Sequence, residues 1–423
     1  MRRIILLAGL LSLAGTTGSP GGEPARFALN DGDRIVLVGD TLIERDQRYG
    51  YLETLLTLSH PGTNLTFRNL GWSGDTVAGL SRAGFDPPEA GYRQLIQQVL
   101  AAKPTVLIVG YGMAESFDGA AGLPRFVSGL NRFLDAVSST KARVVLLSPI
   151  AHAKLGPPWP DPSTHNASLA RYAGAIAEVA RARGAWFIDL FEPSRRRDAA
   201  RAEPPISDDG VVLNETGYGF LAGVIARGLE PWAPAQAGRG IPRVEMKLDV
   251  TVGPVSGARI AGVAPAVGRL GFRLTREALG APGDESGVRW IDPGLVLAVA
   301  GLPEGRYELR ADGRRLPVDA RPAEEWARGV RISGGPDFEQ LERLRATINR
   351  KNRLFFHRWR PQNITYLFGF RKHEQGRNAV EIPQFDPLVA EQETRIARLR
   401  SPGAHDYELV RVGGEAGAMR SRP

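Results

Sequence analysis

A threonine hydroxyl set just beyond a wholly aliphatic run is the first place in this sequence where chemistry can be done. Residues 34 to 45 read Arg-Ile-Val-Leu-Val-Gly-Asp-Thr-Leu-Ile-Glu-Arg. Ile35 to Val38 suits a strand buried on both faces of a parallel sheet. Gly39 ends it, and Gly39-Asp40-Thr41-Leu42 places Asp40 and Thr41 past the strand's carboxyl end, where open α/β sheets gather their ligands. A hydroxyl there becomes a nucleophile only with a base to take its proton. Among the six histidines, His60, His152, His165, His357, His373 and His405, the pair His152 and His165 falls in the long Gly- and Pro-containing loop Ser148 to Asn166. That loop should run near the carboxyl edge of the sheet and is long enough to be a lid. The same pair with Asp161 has no recognised metal-ligand spacing. No metal and no other cofactor is expected.

A second chemistry-bearing stretch lies near the end of the chain. Asn349 to Arg377 holds eight Lys or Arg residues against one acid, Glu374, interleaved with Phe355, Phe356, Trp359, Tyr366, Phe368 and Phe370. One reading is a cationic aromatic surface for an anionic or glycan ligand, with Arg358 and Trp359 at its centre. The other is an arm docked on the rest of the protein through its aromatic side chains, its arginines bridging to acids. The whole chain carries a net charge of +8, but only six of its 54 basic residues are lysines. No helix-turn-helix, zinc or RNP pattern accompanies the charge, so nucleic acid is not an expected partner. The sequence has no cysteine, which excludes disulfides and thiolate metal sites.

The elements that must position Thr41 follow from alternation. After the first strand, Leu65 to Asn69, Thr105 to Val109, Ala142 to Leu147 and Ala185 to Asp189 read as short buried strands. Between them Tyr49 to Leu58, Gly91 to Ala101, Pro124 to Ser138 and Leu169 to Arg183 have helical periodicity, and Asn214 to Gly228 reads as a closing helix. Such alternation predicts an α/β fold, a flavodoxin-like parallel sheet with helices on both faces, followed by a small all-β module and a helical C-terminal arm.

Four blocks in this region resemble those of the SGNH (GDSL) hydrolase family, in order and spacing, over roughly half of the chain. The first is Gly39-Asp40-Thr41-Leu42, resembling Gly-Asp-Ser-Leu, whose serine is the nucleophile of an ester-cleaving triad. The second runs from Arg68 through Trp72 and Gly74 to Thr76; the resemblance implies that the Gly74 N–H helps hold the oxyanion. The third, Gly110 to Ser116, resembles Gly-x-Asn-Asp/Glu, with Glu115 in place and Ala114 at the asparagine position. The fourth, Asp208 to Tyr218, resembles Asp-x-x-His, with Asp209 in place and Val212 at the histidine position. Of the four residues that name the family only Gly74 remains. Thr41 and Asp209 are thus the catalytic candidates, and Asp40, Glu115, Trp72, Arg358 and Trp359 the candidate binding residues. The resemblance implies an esterase-like fold for carbohydrate or small acyl esters, weakly active or inactive. The alternative is a protein that binds a glycan or another envelope component in the former active-site pocket. The oligomeric state is open.

The remaining divisions are compositional. Arg2-Arg3, the apolar run Ile4 to Ala14 and the small residues Gly15 to Ser19 have the layout of a secretory signal peptide, assigned to 1–22. The expected destination is the bacterial periplasm or exterior, with no membrane-spanning segment. The hydrolase-like domain is placed at 27–230, and proline-rich Glu230 to Pro242 is read as a boundary. A β-sandwich-like module follows at 242–320, with a hairpin at Gly305 to Val318 turning on Asp312-Gly313. A helical arm is expected at 323–400 and a disordered tail at 401–423. Phe355 to Asn363, with Phe385 to Leu399, resembles the tail of large GDSL-like proteins of planctomycete-type bacteria.

Overall fold

The computed structural model describes residues 27–229, 242–249, 251–282, 291–292 and 294–412. The signal-peptide assignment and most of the proline-rich boundary fall outside the described residues. β1 (Arg34–Gly39) lies between β2 (Thr66–Asn69) and β3 (Val106–Gly110), and β4 (Arg143–Leu147) and β5 (Trp186–Ile188) complete a sheet of order β2-β1-β3-β4-β5, parallel throughout. This is the flavodoxin-like order expected. The chain leaves β1 in one direction to β2 and later returns on its other side to β3, so the crevice at the carboxyl end of β1 is the switch point of the sheet.

Period-two alternation makes the sheet a double-sided core. Ile35, Leu37, Ile108 and Val145 face one layer, with Leu52, Leu55, Tyr218 and Ile225. Val36, Val38, Leu107 and Leu146 face the other, with Leu95, Phe126, Phe133 and Ile176. The first layer is built from α1 (Thr41–Tyr49), α2 (Tyr51–Ser59) and α7 (Glu215–Leu229). The second comes from α3 (Pro88–Ala102), α4 (Gly119–Val137) and α5 (Ser163–Arg183); α6 (Phe191–Ala199) follows β5. The amphipathic stretch expected at Tyr49 to Leu58 is α2, and a separate helix, α1, precedes it. Gly50 at φ 64° ends α1 in the left-handed region and starts α2 in a new direction, a conformation glycine reaches without steric cost.

The β module packs two sheets over one core. Strand Leu295–Ala300 pairs in parallel with Arg243–Lys247 and antiparallel with Val330–Ile332. In the other sheet Ala404–Val412 lies between Arg306–Ala311 and Arg269–Arg276. Val244, Leu297, Val299, Phe272, Leu309, Tyr407 and Leu409 form the shared core. The hairpin turns as expected, Asp312 and Gly313 both having positive φ, as a type I′ connection requires. Three expected limits are corrected. Helix Ala323–Arg328 buries Trp326 in the sandwich core rather than opening the arm, strand Val330–Ile332 belongs to the sandwich, and the stretch read as a disordered tail contains its central strand Ala404–Val412. His405, Tyr407 and Leu409 alternate with charged neighbours in that strand, a period-two signal submerged by the Gly- and Arg-rich residues after it.

The arm is docked. Its long helix Pro336–Trp359 sends Leu341, Leu344 and Ile348 into the α1/α2/α7 core, where Ile396 from helix Phe385–Leu399 joins them. Phe355 and Trp359 pack against the opposite core. Lys351 Nζ, fully buried, donates to Glu53 of α2 at 2.8 Å and to the Phe67 carbonyl at 3.2 Å. Among the described residues no helix is long and apolar enough to cross a membrane.

Candidate active site

Thr41 is the first residue of α1, and Asp40 is its cap: Asp40 Oδ1 accepts the Leu42 N–H at 3.0 Å. The Thr41 hydroxyl therefore stands at a helix N-terminus at the sheet's switch point, in the positive end of the peptide dipoles. Its Oγ1 accepts the Gly74 N–H at 3.2 Å. Gly74 has φ 72°, a left-handed conformation that turns this N–H toward Thr41 and that a side chain would strain.

The loop that carries Gly74 is held from beneath by charges. Asp75 and Arg82 have fully buried side chains and pair at 2.7 Å. Tyr111 donates to the same carboxylate oxygen at 3.0 Å, and Arg82 also donates to the Leu70 carbonyl at 2.8 Å. Glu115 ties this loop to the end of β3, one oxygen accepting the Val77 N–H at 2.8 Å and the other the Gly112 N–H at 3.0 Å. Glu115 is thus a clamp rather than a ligand-facing side chain. Burial pushes the Glu115 carboxyl upward, opposed by those backbone donors. Asp40 is driven much further, to about 8, first by burial and then by the charges of Glu115 and Asp75.

Asp209 closes the site from the loop before α7. Its Oδ1 accepts the Val211 and Val212 N–H groups at 2.8 and 2.7 Å and lies 3.1 Å from the Ser207 hydroxyl. These bonds hold its pKa below the usual carboxylate value against the opposing effect of burial, the largest single contribution. Val212 and Leu213 meet Asp40, Thr41, Met113 and Tyr218 around a cavity of about 20 Å³, room for roughly one water. Ala114 follows Met113 at the start of the turn Glu115–Asp118. Asp40, Thr41, Gly74, Ala114, Asp209 and Val212 therefore converge at one sheet edge.

The other candidates divide. Trp72, Trp359 and Arg358 lie apart from the Thr41 cavity. Trp72 is covered by Arg360 at 3.7 Å and meets the Trp359 ring edge-on at 5.9 Å, while Arg358 pairs with Asp386 at 2.9 Å. Among the described residues no histidine is hydrogen-bonded to Thr41. His165 stacks on Phe117 with centroids 4.0 Å apart, lies 4.8 Å from the His152 ring, and has Nε2 3.1 Å from the Ser116 hydroxyl. His152 is buried, and its Nε2 has no hydrogen-bond partner in the described structure. Burial and the His165 charge lower its pKa to about 4, opposed by Asp209. Asp161 is instead paired with Lys154 at 2.6 Å, and among the described residues no cluster of three potential metal ligands forms. Asp75, Arg82 and Tyr111 carry the loop geometry yet had no local signal, since their partners are seven to 36 residues away.

A doubly wound sheet with its hydroxyl on a helix N-terminus at the switch point, faced by a glycine N–H from the next loop, has the architecture of the SGNH class of hydrolase domains. The α/β domain belongs to that family: residues 32–220 match the GDSL-like Lipase/Acylhydrolase family. No curated protein matches the sequence significantly. Among solved structures, the gut microbial diltiazem-metabolizing enzyme BT4096 aligns at TM-score 0.68 and 16% identity, covering 91% of this chain and 99% of its own. A catalytic mutant of Axe2, an acetylxylan esterase from Geobacillus stearothermophilus, aligns at TM-score 0.38 and 15% identity over 48% of this chain and 95% of its own. LAE5, an alpha/beta hydrolase enzyme from the metagenome of Lake Arreo, aligns at 0.38 and 17% over 48% and 96%. At such identity the first likeness is one of fold, and it extends over the α/β domain, the sandwich and the arm together.

Proposed function

We propose that this is an exported SGNH-family protein that keeps the esterase scaffold, of the carbohydrate or small acyl ester class, while hydrolysing esters weakly or not at all. The observation that carries the reading is the surroundings of Thr41. Its hydroxyl has an N–H donor at 3.2 Å but, among the described residues, no base in hydrogen-bond contact, and Val212 lines the cavity where the family places histidine. Valine cannot accept a proton, and loss of a triad base costs about 10⁶ in rate. Loss of one oxyanion side-chain donor, here at Ala114, costs about 10² to 10³ more. A short acyl ester assayed with purified protein should turn over near background, and Thr41→Ala should change almost nothing. Thr41→Ser, Ala114→Asn and Val212→His together should raise the rate where each alone does little, because triad members act as a unit. Robust native turnover abolished by Thr41→Ala would overturn the proposal.

One observation favours a second reading. His152 has a buried, unpartnered Nε2 and lies within the electrostatic reach of Asp209, so His152 is the candidate for a replacement base if turnover is found. In that case His152→Ala should abolish it while His357→Ala and His373→Ala leave it intact. Binding of a glycan in the former pocket is less well supported, because a cavity of about 20 Å³ does not admit a sugar ring. Export rests on the layout of residues 1–22 and predicts a mature N-terminus after cleavage near Gly21, measured by intact-mass spectrometry of protein from the periplasm.

A further inference from the structure

A large cleft lies away from Thr41, between α3, the edge strand β2 and the arm. We propose that it is a binding site for an acidic oligosaccharide, a short chain of uronate sugars. Its volume is about 840 Å³, within the range of roughly 300 to 1,000 Å³ of small-ligand sites. One wall is a single helix face: Arg93, Gln94, Gln97 and Gln98 of α3 recur at helical spacing and all line the cleft. The other wall is the arm. Phe85 is 85% exposed and Phe370 65% exposed, and the two rings meet edge to face at 6.3 Å across the opening, beside Phe368 at 53%. Large rings grouped this openly are what soluble proteins avoid unless the patch has a use.

The lining selects the ligand. Flat aromatic faces suit the apolar faces of sugar rings, and the amides of Gln94 and Gln97 suit their hydroxyl groups. Charge decides between neutral and acidic chains. Five arginines line the cleft against Asp86 and Asp386. Three of the five are occupied, Arg68 with Glu393 at 2.6 Å, Arg82 with Asp75 at 2.7 Å and Arg358 with Asp386 at 2.9 Å. Arg34 and Arg93 have no acidic partner among the described residues, although Arg34 reaches the Ala102 carbonyl at 3.4 Å. Two separated guanidinium groups match carboxylates spaced along a uronate chain, which they can hold in forked hydrogen bonds. They do not make the continuous cationic track a nucleic-acid backbone demands.

Calorimetric titration of the full chain with oligomers of galacturonate, glucuronate and mannuronate tests the assignment, with neutral xylo-oligosaccharide and oligodeoxythymidylate as comparisons. At least one oligouronate should bind saturably and more tightly than both comparisons. Phe85→Ala and Phe370→Ala together, and Arg93→Gln separately, should each weaken it by about tenfold or more, with thermal unfolding unchanged because these side chains are exposed. Absence of saturable binding by every oligouronate, equal affinity in the variants, or preference for the oligonucleotide would overturn the proposal. Ester hydrolysis does not enter this readout, so the result is independent of the chemistry at Thr41.

Discussion

Asp40 is the residue whose position has the sharpest physical consequence. Its carboxyl caps α1 from a fully buried site, and its pKa stands at about 8 in the folded chain against an ordinary value of 3.8. A raised carboxyl means that the folded state holds a proton that the unfolded chain releases. The sign follows directly: between about pH 4 and 8 this group makes folding less favourable as pH rises, at up to about 1.4 kcal/mol per pH unit. Asp46, raised to about 7 by burial and the Glu53 charge, acts in the same direction. Asn at position 40 can still accept the Leu42 N–H but cannot ionise. Asp40→Asn should therefore gain stability relative to wild type steadily from pH 5 to pH 8 in urea unfolding, with little difference at pH 4. A constant difference across that range would mean that Asp40 does not titrate there.

At the scale of elements, the arm is held by a buried ion pair as well as by apolar contact. Lys351 and Glu53 have side chains 1% and 8% exposed, so neither can exchange its partner for water. Removing one leaves the other charged and buried, which typically costs about 3 to 5 kcal/mol. Lys351→Ala should lower stability by that amount, and Lys351→Met with Glu53→Leu should recover most of it. Limited proteolysis follows the same logic. Phe355 and Trp359 pack on the α/β core, so cleavage within Pro336–Trp359 should be slow in the native chain and become rapid in Lys351→Ala.

Across the whole molecule, what could be read without coordinates was local. The aliphatic runs Ile35 to Val38 and Val106 to Val109 announced buried strands, and strand-helix alternation was enough for the sheet order. Thr41, Gly74, Asp209 and Val212 reached one edge because each sits just beyond a strand or before a helix. The Asp75–Arg82–Tyr111 network and the Lys351–Glu53 pair were not legible, since the latter joins residues 298 positions apart and no periodicity encodes such a meeting. Trp72, expected as a binding residue from its place in the block of Gly74, lines a separate cleft with Arg358 and Trp359 for the same reason: only the folded arm decides which surface it meets.

The strand Ala404–Val412 lies inside its sheet, flanked by Arg306–Ala311 and Arg269–Arg276. During synthesis the α/β domain can emerge and fold while this strand is still within or near the ribosome, since domains fold as units in order of appearance. The sandwich cannot. Until its middle strand arrives, Arg269–Arg276 and Arg306–Ala311 present unpaired edges to any neighbouring nascent chain, which is the hazard such edges carry. A chain stopped at Gly403 should therefore yield a folded α/β sheet by circular dichroism and a sandwich that aggregates or is degraded. Supplying residues 404–412 as a separate peptide should restore solubility by strand addition, and a truncated chain that stays soluble and monomeric without it would show that the sheet closes by another route.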